Sequence, residues 1–208
     1  FLIIPLLVFF VFSKFLTIAS FEHSMMALSY FLLSLSFVST ILVLVFPMIY
    51  RLFLGTSYAR YFKLASPVCL ITFLAGDSIA AIPLITHAVE QEQGGDLNIS
   101  RILTVVAICF PWVGELANLI FPIYSATLEG FGFSTVLSIV SVGPFFMFTD
   151  PYISIPTLLG AFSFPENYKV TYLTLALLTD HMFEVCESVA VLFVVLRLKS
   201  LVDRTATQ

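Results

Sequence analysis

The chain has 208 residues, of which 60% are hydrophobic and only 11% are charged, with a mean hydropathy of +1.06 and a formal net charge of −4. A soluble domain of this size cannot bury so much apolar surface, so the composition excludes a soluble globular protein and predicts a polytopic, all-α membrane protein. The three cysteines, Cys69, Cys109 and Cys186, fall in apolar runs without metal-ligand spacing. We expect them to be small core residues, neither disulfides nor zinc ligands.

Two long apolar segments open the chain. Phe1–Ala19 and Met25–Tyr50 are each long enough to span a bilayer as an α-helix, and we assign residues 1–54 to scaffold transmembrane helices. The chain starts within an apolar run and lacks the basic region and small-residue cleavage site of a signal peptide. We therefore expect a fragment without its N-terminal part.

Two later apolar segments are each interrupted by residues that favour turns. Leu64–Val89 is broken at Gly76, Asp77 and Ser78. Phe131–Phe164 is broken by Gly143, Pro144, Asp150, Pro151 and Pro156. Turns at membrane depth leave backbone N–H and C=O groups that lipid cannot satisfy, so both tips are expected to be buried in protein. The sequence therefore predicts two re-entrant helical hairpins, at about residues 64–89 and 131–164.

The remaining apolar segments are a broken helix and an uninterrupted one. The broken helix covers about residues 101–128 and contains Pro111 and Pro122, and the last helix covers about residues 168–198. Paired interrupted segments in matching positions are typical of secondary transporters built from inverted repeats. If the loop after Tyr50 is cytoplasmic, most basic residues fall on that side, as the positive-inside rule expects.

Six acidic residues lie within or beside these segments: Asp77, Glu115, Asp150, Asp180, Glu184 and Glu187. The last three share one face of a helix, at spacing i, i+4, i+7. An ionised carboxylate at membrane depth costs roughly 3 kcal/mol, and none of these acids has a basic partner nearby in the sequence. Because carboxylates and hydroxyls are hard oxygen ligands, the cluster predicts a site for Na⁺, H⁺ or the ammonium group of a solute.

Structural roles are the alternatives for individual residues. A single acid in a membrane helix is often a protonated group hydrogen-bonded to a neighbouring helix, and this alternative stays open for Glu115 and for the three acids of the last helix. His181 is either a proton carrier or a hydrogen-bonded core histidine. Ser78, at the tip of the first hairpin, can cap the helix that follows or donate to a ligand.

The order of these pieces resembles that of the dicarboxylate/amino acid:cation symporters, the glutamate transporter homologues. The segment "GDSIAAIPLIT" is similar to the first hairpin tip of that family, "FPWVGELAN" to the approach to its sodium motif, "SVGPFF" to the start of its second hairpin and "TDHMFEVCESVAV" to its last helix. The resemblance covers most of the chain. It implies an elevator-type transport core at about residues 64–198, a homotrimer, and a location in the cytoplasmic (inner) or plasma membrane.

The resemblance also implies roles for individual residues. The expected solute-binding residues are Ser78, Asp77, Glu184 and Glu187, and the expected cation-binding residues are Asp180, Asn118 and Glu115. Glu187 stands where members that take acidic substrates carry an arginine, which favours a cationic or zwitterionic solute over a dianionic one. Asn118 is not followed by the Asp and Gly of the sodium motif, and Val191 stands where a sodium-site asparagine is expected.

The predicted function is cation-coupled symport, driven by Na⁺ or H⁺, of a small organic solute such as an amino acid or dicarboxylate. We expect no cofactor or metal other than the coupling cation, and no nucleic-acid partner. The alternative is a transport-inactive membrane receptor or binding module on the same fold, because the sodium motif is incomplete. An enzyme is disfavoured because the sequence offers no nucleophile–base pair and no metal-ligand motif, and His87 and His181 stand far apart.

Overall fold

The computed structural model describes residues 21–93, 97–110 and 112–206, and within these ranges every regular element is helical. The fold is therefore all-α, as predicted. The elements are α1 (Phe21–Thr40), a π-helical turn (Ile41–Val45), α2 (Phe46–Leu54), α3 (Tyr58–Ala75), a 3₁₀ turn (Ser78–Ala81), α4 (Ile82–Gln93), α5 (Leu97–Ile108), α6 (Val113–Ala117), α7 (Ile120–Leu128), α8 (Phe133–Phe146), α9 (Pro151–Ala161) and α10 (Glu166–Ala206). The predicted span Phe1–Ala19 lies outside the described residues.

Two helical stretches in the described part of the chain are long and apolar enough to cross a membrane, Met25–Leu54 and Asn98–Leu128, and the second contains the breaks between α5, α6 and α7. Large apolar side chains are exposed on them and on the shorter apolar helix α8. The most exposed examples are Leu44, Leu52, Ile102, Phe133 and Phe145. Many large apolar side chains exposed on the same helices are typical of surfaces that contact lipid or another protein. These helices give the predicted membrane location its structural support.

The first of these two helices is interrupted by the π-helical turn. There the Phe46 N–H donates to the Ile41 carbonyl, five residues back. The next bond in this register would run from residue 47 to the Leu42 carbonyl, but Pro47 has no N–H. The Tyr61 hydroxyl supplies the missing donor, at 2.9 Å from the Leu42 oxygen. The Leu42 carbonyl at the π-helical turn therefore accepts a hydrogen bond from a side chain of α3.

The described residues form two compact units. The first unit contains residues 21–36 and 118–180, and the second contains residues 37–117 and 181–206. Each unit includes one helix–turn–helix segment, one part of the broken helix and one part of α10. The predicted division has a transport core at residues 64–198 that moves against a scaffold at residues 1–54. This division stays a prediction.

The second unit contains the hairpin of α3 and α4. The Ser57 hydroxyl caps the start of α3, and Gly76 ends the helix in the left-handed conformation, at φ +68°, which glycine adopts without a steric cost. Arg60 Nε, near the start of α3, lies 3.0 Å from Glu92 Oε1, near the end of α4. The two open ends therefore lie side by side. The hairpin runs from Tyr58 to Gln93, so its arms are longer than the predicted residues 64–89.

The first unit contains the hairpin of α8 and α9. The Phe131 and Phe164 rings, just outside its two arms, pack with centroids 4.8 Å apart and close its open end. Pro151 begins α9, where a missing N–H costs nothing. The inner face of the hairpin carries Ile139, Ile155, Leu158 and Leu159, all fully buried. The predicted hairpin at 131–164 therefore matches the observed arms to within a few residues.

The last helix, α10, runs without interruption for 41 residues, which is about 60 Å. Its residues 166–180 belong to the first unit and residues 181–206 to the second. Every side chain from Val185 to Leu192 is buried, including Glu187 and Ser188. A helix buried all round its circumference is a core helix, so its polar residues require partners from the elements that surround it.

Candidate functional site

The Glu187 side chain is hydrogen-bonded to the backbone at the break between α5 and α6. Its Oε1 accepts the Trp112 N–H at 3.2 Å, and its Oε2 accepts the N–H groups of Gly114 at 3.1 Å and Glu115 at 3.4 Å. These N–H groups begin a helix and have no partner within it. The Glu187 side chain is 3% exposed, so the bonds form away from water. The carboxylate therefore satisfies the backbone groups that the chain break leaves open.

Close backbone approach makes this arrangement possible. A Cβ atom added to Gly114 would lie 2.3 Å from the Phe183 carbonyl oxygen and 2.8 Å from the Glu187 nitrogen. Both are backbone atoms of α10, which cannot shift without disturbing the helix. Gly114 therefore brings the start of α6 directly against α10, where the Glu187 side chain can reach its N–H groups.

Glu184 makes the equivalent contact with the tip of the hairpin of α3 and α4. Its Oε2 accepts the Ser78 N–H at 2.8 Å. The neighbouring Asp77 has an extended backbone, and its Oδ1 accepts the Ile79 N–H at 2.8 Å. Asp77, and not Ser78, is therefore the cap of the following helical segment. The capping role expected for Ser78 belongs to the preceding residue because the chain turns one position earlier.

Two further contacts fix the hairpin of α3 and α4 along α10. His181 Nδ1 is bonded to the Phe73 carbonyl at 2.8 Å, and its ring lies against Gly76, where a Cβ atom would be 2.7 Å from the imidazole. The Thr72 hydroxyl donates to Ser188 Oγ at 2.8 Å. His181 is thus a hydrogen-bonded, half-buried histidine that supports the tip, in agreement with the structural alternative.

The first unit repeats this pattern at its own hairpin tip. Asp150 Oδ1 accepts the Tyr152 N–H at 2.8 Å, so an aspartate caps the second arm of this hairpin too. The Tyr152 hydroxyl donates to Asp180 Oδ2 at 3.4 Å. Each hairpin tip is therefore capped by an aspartate and bonded to a carboxylate of α10, Glu184 in the second unit and Asp180 in the first.

The first unit contains a second predicted cation-binding residue besides Asp180. This residue, Asn118, is buried. Its Oδ1 accepts the Tyr172 hydroxyl at 2.9 Å. Tyr172 precedes Asp180 by eight residues on α10, which corresponds to about 12 Å along the helix. Asn118 and Asp180 are therefore bonded to different tyrosines, Tyr172 and Tyr152.

The structure brings the predicted residues of the second unit together in pairs. Ser78 meets Glu184 at the hairpin tip, and the backbone of Glu115 meets Glu187 at the helix break. Glu184 and Glu187 are one helical turn apart on α10. This part of the chain combines two carboxylates with the first N–H groups of two short helical segments.

The sequence-based prediction missed a polar cluster in the first unit. The Tyr30 hydroxyl lies beside the side chains of Ser34 and Thr179. Tyr30, Ser34 and Thr179 are fully buried. The available signal was the i, i+4 spacing of Tyr30 and Ser34 in an otherwise apolar helix, which puts both on one face. Serine and tyrosine alone are too common in membrane helices to have identified a site.

The cysteines and the acidic residues give no sign of a transition-metal centre in the described residues. All three cysteines are free, and within the described ranges no three His, Cys, Asp or Glu side chains form a potential metal-binding group. Cys186 is buried and Cys69 is half-buried, as expected for core residues. The prediction is wrong for Cys109, which is exposed just after α5 and whose thiol donates to the Val105 carbonyl in the last turn of that helix.

Comparison with protein-family models, with curated proteins and with solved structures finds no match to this chain.

Proposed function

We propose that the chain is the core of a cation-coupled membrane transporter for a small organic solute. The observation that carries the proposal is the pair of hairpins, each closed at its open end, capped at its tip by an aspartate and bonded at that tip to a carboxylate of α10. Broken helical segments that converge on one buried helix are the usual binding elements of secondary transporters.

The proposed arrangement has both hairpins entering the membrane without crossing it. Their tips would then bring capped helix ends and carboxylates to membrane depth, where a solute and a cation can replace water as their partners. An elevator movement of residues 64–198 against residues 1–54, in a homotrimer of the cytoplasmic or plasma membrane, is the mode of transport we propose on the basis of the family resemblance.

The proposed solute contacts are Ser78, Asp77, Glu184 and Glu187. Glu187 uses its oxygens for three backbone N–H groups, so it would add negative charge from a fixed position. Glu184 accepts a tip N–H from Ser78, and a solute ammonium group can share that carboxylate. A cationic or zwitterionic solute fits two carboxylates better than a dianionic solute does. Asp180, Asn118 and Glu115 are the proposed cation-binding residues.

The test is uptake into liposomes that contain the purified protein. We expect accumulation of an amino acid or polyamine above its outside concentration when an inward Na⁺ or H⁺ gradient is imposed, and no accumulation when the gradient is collapsed. Glu184→Gln should reduce uptake by at least tenfold, whereas Glu90→Gln, on the hairpin arm with a side chain that is 42% exposed, should leave uptake unchanged.

Retained binding without uptake of any solute in either gradient would replace this proposal by the receptor or binding module. Uptake of a dicarboxylate that survives both Glu184→Gln and Glu187→Gln would contradict the assignment of the solute contacts.

A further inference from the structure

A short turn joins α2 to α3 in the second unit. α2 ends at Leu54 and α3 begins at Tyr58, so residues 55–57 connect the two helices. Gly55 has φ +68°, and a Cβ atom added to it would have no described atom within 4 Å. The turn is therefore open on the side of Gly55, which gives a ligand access to the residues around it.

Two arginines contact residues at this turn. The Arg51 guanidinium, in the last turn of α2, has its Cζ atom 5.9 Å from the centroid of the Tyr58 ring. Arg197 comes from α10, and its Nη1 atom donates to the Phe53 carbonyl at 3.4 Å. Two positive charges from distant segments of the chain are therefore held beside the same turn.

Both guanidinium groups have N–H donors left for an anion. Among the described residues neither arginine forms an ion pair. Arg60, nearby on α3, differs because its Nε atom lies 3.0 Å from Glu92 Oε1. A guanidinium carries five N–H donors, and the contact of Arg51 with an aromatic ring uses none of them. The turn therefore offers positive charge that no described carboxylate pairs with.

Large apolar side chains are exposed beside these charges. Met48, Leu52 and Phe53 are 56%, 67% and 57% exposed. Met48 and Leu52 are one helical turn apart on α2, and Arg51 lies on the same face. An apolar face that ends in a guanidinium group is complementary to a molecule with a hydrocarbon chain and an anionic headgroup.

The position of the turn favours the same class of ligand. The first helical stretch that is long and apolar enough to cross a membrane ends at Leu54, directly before the turn. In a membrane, the end of such a stretch lies at the boundary between the hydrocarbon core and the lipid headgroups. Basic residues at this boundary attract anionic lipids. A free phosphate ion would use the arginines but would leave the exposed apolar face without a partner.

We infer that the turn between α2 and α3 binds an anionic phospholipid. Arg51 and Arg197 would hold the phosphate group, because the paired N–H groups of a guanidinium match two phosphate oxygens. The acyl chain would lie along Met48 and Leu52. The inference depends on the membrane location of the chain and is independent of transport, so either proposal can fail without the other.

The test measures lipid binding to the purified protein by native mass spectrometry, which counts the lipid molecules that remain bound. The protein in detergent is titrated with phosphatidylglycerol, which is anionic, and in parallel with phosphatidylcholine, which has no net charge. The rise in melting temperature with lipid concentration gives the affinity independently. The variants are Arg51→Gln and Arg197→Gln. Arg101→Gln is the matched control, because Arg101 is an exposed arginine on α5, outside the turn and its two helices.

We expect the unaltered protein to bind phosphatidylglycerol more tightly than phosphatidylcholine. Arg51→Gln and Arg197→Gln should each raise the half-saturating concentration of phosphatidylglycerol about fivefold, the effect of one basic residue at an anionic membrane surface. Arg101→Gln should change it by less than about twofold. Because the Arg51 side chain makes no hydrogen bond among the described residues, Arg51→Gln should leave the melting temperature without lipid nearly unchanged, which separates lost binding from lost folding.

Three results would overturn the site. Equal affinities for phosphatidylglycerol and phosphatidylcholine would show that charge does not select the lipid. An equal loss of affinity in Arg101→Gln would indicate a general attraction to the basic residues of the chain and not a site at this turn. A rise in melting temperature with inorganic phosphate that equals the rise with phosphatidylglycerol would identify a free anion as the ligand.

Discussion

The Ser78 N–H and the Glu184 carboxylate are 2.8 Å apart although 106 residues separate them in the chain. The contact joins the tip of one hairpin to the middle of the longest helix. It also explains how a largely buried helix can carry several acids without a basic partner nearby in sequence, since an N–H group freed by a turn is an adequate donor to a carboxylate.

Removing this acceptor should loosen the hairpin tip. We expect Glu184→Ala to destabilise the protein by about 1–3 kcal/mol, because a part-buried N–H group then loses a charged partner. Glu184→Gln retains a carbonyl oxygen and should cost about half as much. Hydrogen exchange at residues 76–79 should accelerate in Glu184→Ala, and unchanged exchange there would show that the tip is held by other contacts.

Substitution of Glu187 should have a larger effect. Glu187→Ala leaves three backbone N–H groups without their acceptor, and we expect a loss of about 3 kcal/mol or more. The chain contains a single tryptophan, Trp112, whose own N–H is one of the three. Its fluorescence should therefore report the rearrangement directly. The control is Glu166→Ala, which removes an ion pair with Lys169 from a carboxylate that is 78% exposed and should cost less than about 1 kcal/mol.

The close approach of α6 to α10 predicts an intolerance of larger residues at Gly114. Gly114→Ala would place a methyl group 2.3 Å from the Phe183 carbonyl oxygen, and we expect a destabilisation of about 1–3 kcal/mol or more. Gly132→Ala is the matched control. Its added methyl would lie 3.7 Å from the nearest atom, so it should be neutral or slightly stabilising. Equal melting temperatures for the two variants would contradict the packing.

The π-helical turn predicts a specific role for Tyr61. Tyr61→Phe removes the hydroxyl donor to the Leu42 carbonyl and should destabilise the protein by about 1–2 kcal/mol. Tyr58→Phe, on the exposed side of the same helix, should change stability by less than about 0.5 kcal/mol. Hydrogen exchange at residues 41–46 should rise in Tyr61→Phe alone. A rise in both variants would indicate a general loosening of α3.

Local features of the sequence were sufficient to predict the hairpin tips and the shared face of the acids on the last helix. Gly76 and the aspartates at 77 and 150 mark the hairpin tips because turns and caps depend on a few adjacent residues. The common face of Asp180, Glu184 and Glu187 follows from the helical repeat. The arm lengths of the first hairpin were underestimated, because its polar ends carry Arg60 and Glu92, which bond only in the folded chain.

The amino-acid sequence by itself determined that this is an all-α chain with apolar helices, where they break, and which acids share a face. Those properties follow from hydropathy, turn propensity and helical periodicity, which act over a few residues. Only the tertiary structure decided that Glu184 and Glu187 are bonded to backbone N–H groups, and that Tyr30 lies beside Thr179. These partners come from segments about 70–150 positions apart, and no local pattern specifies contacts at that separation.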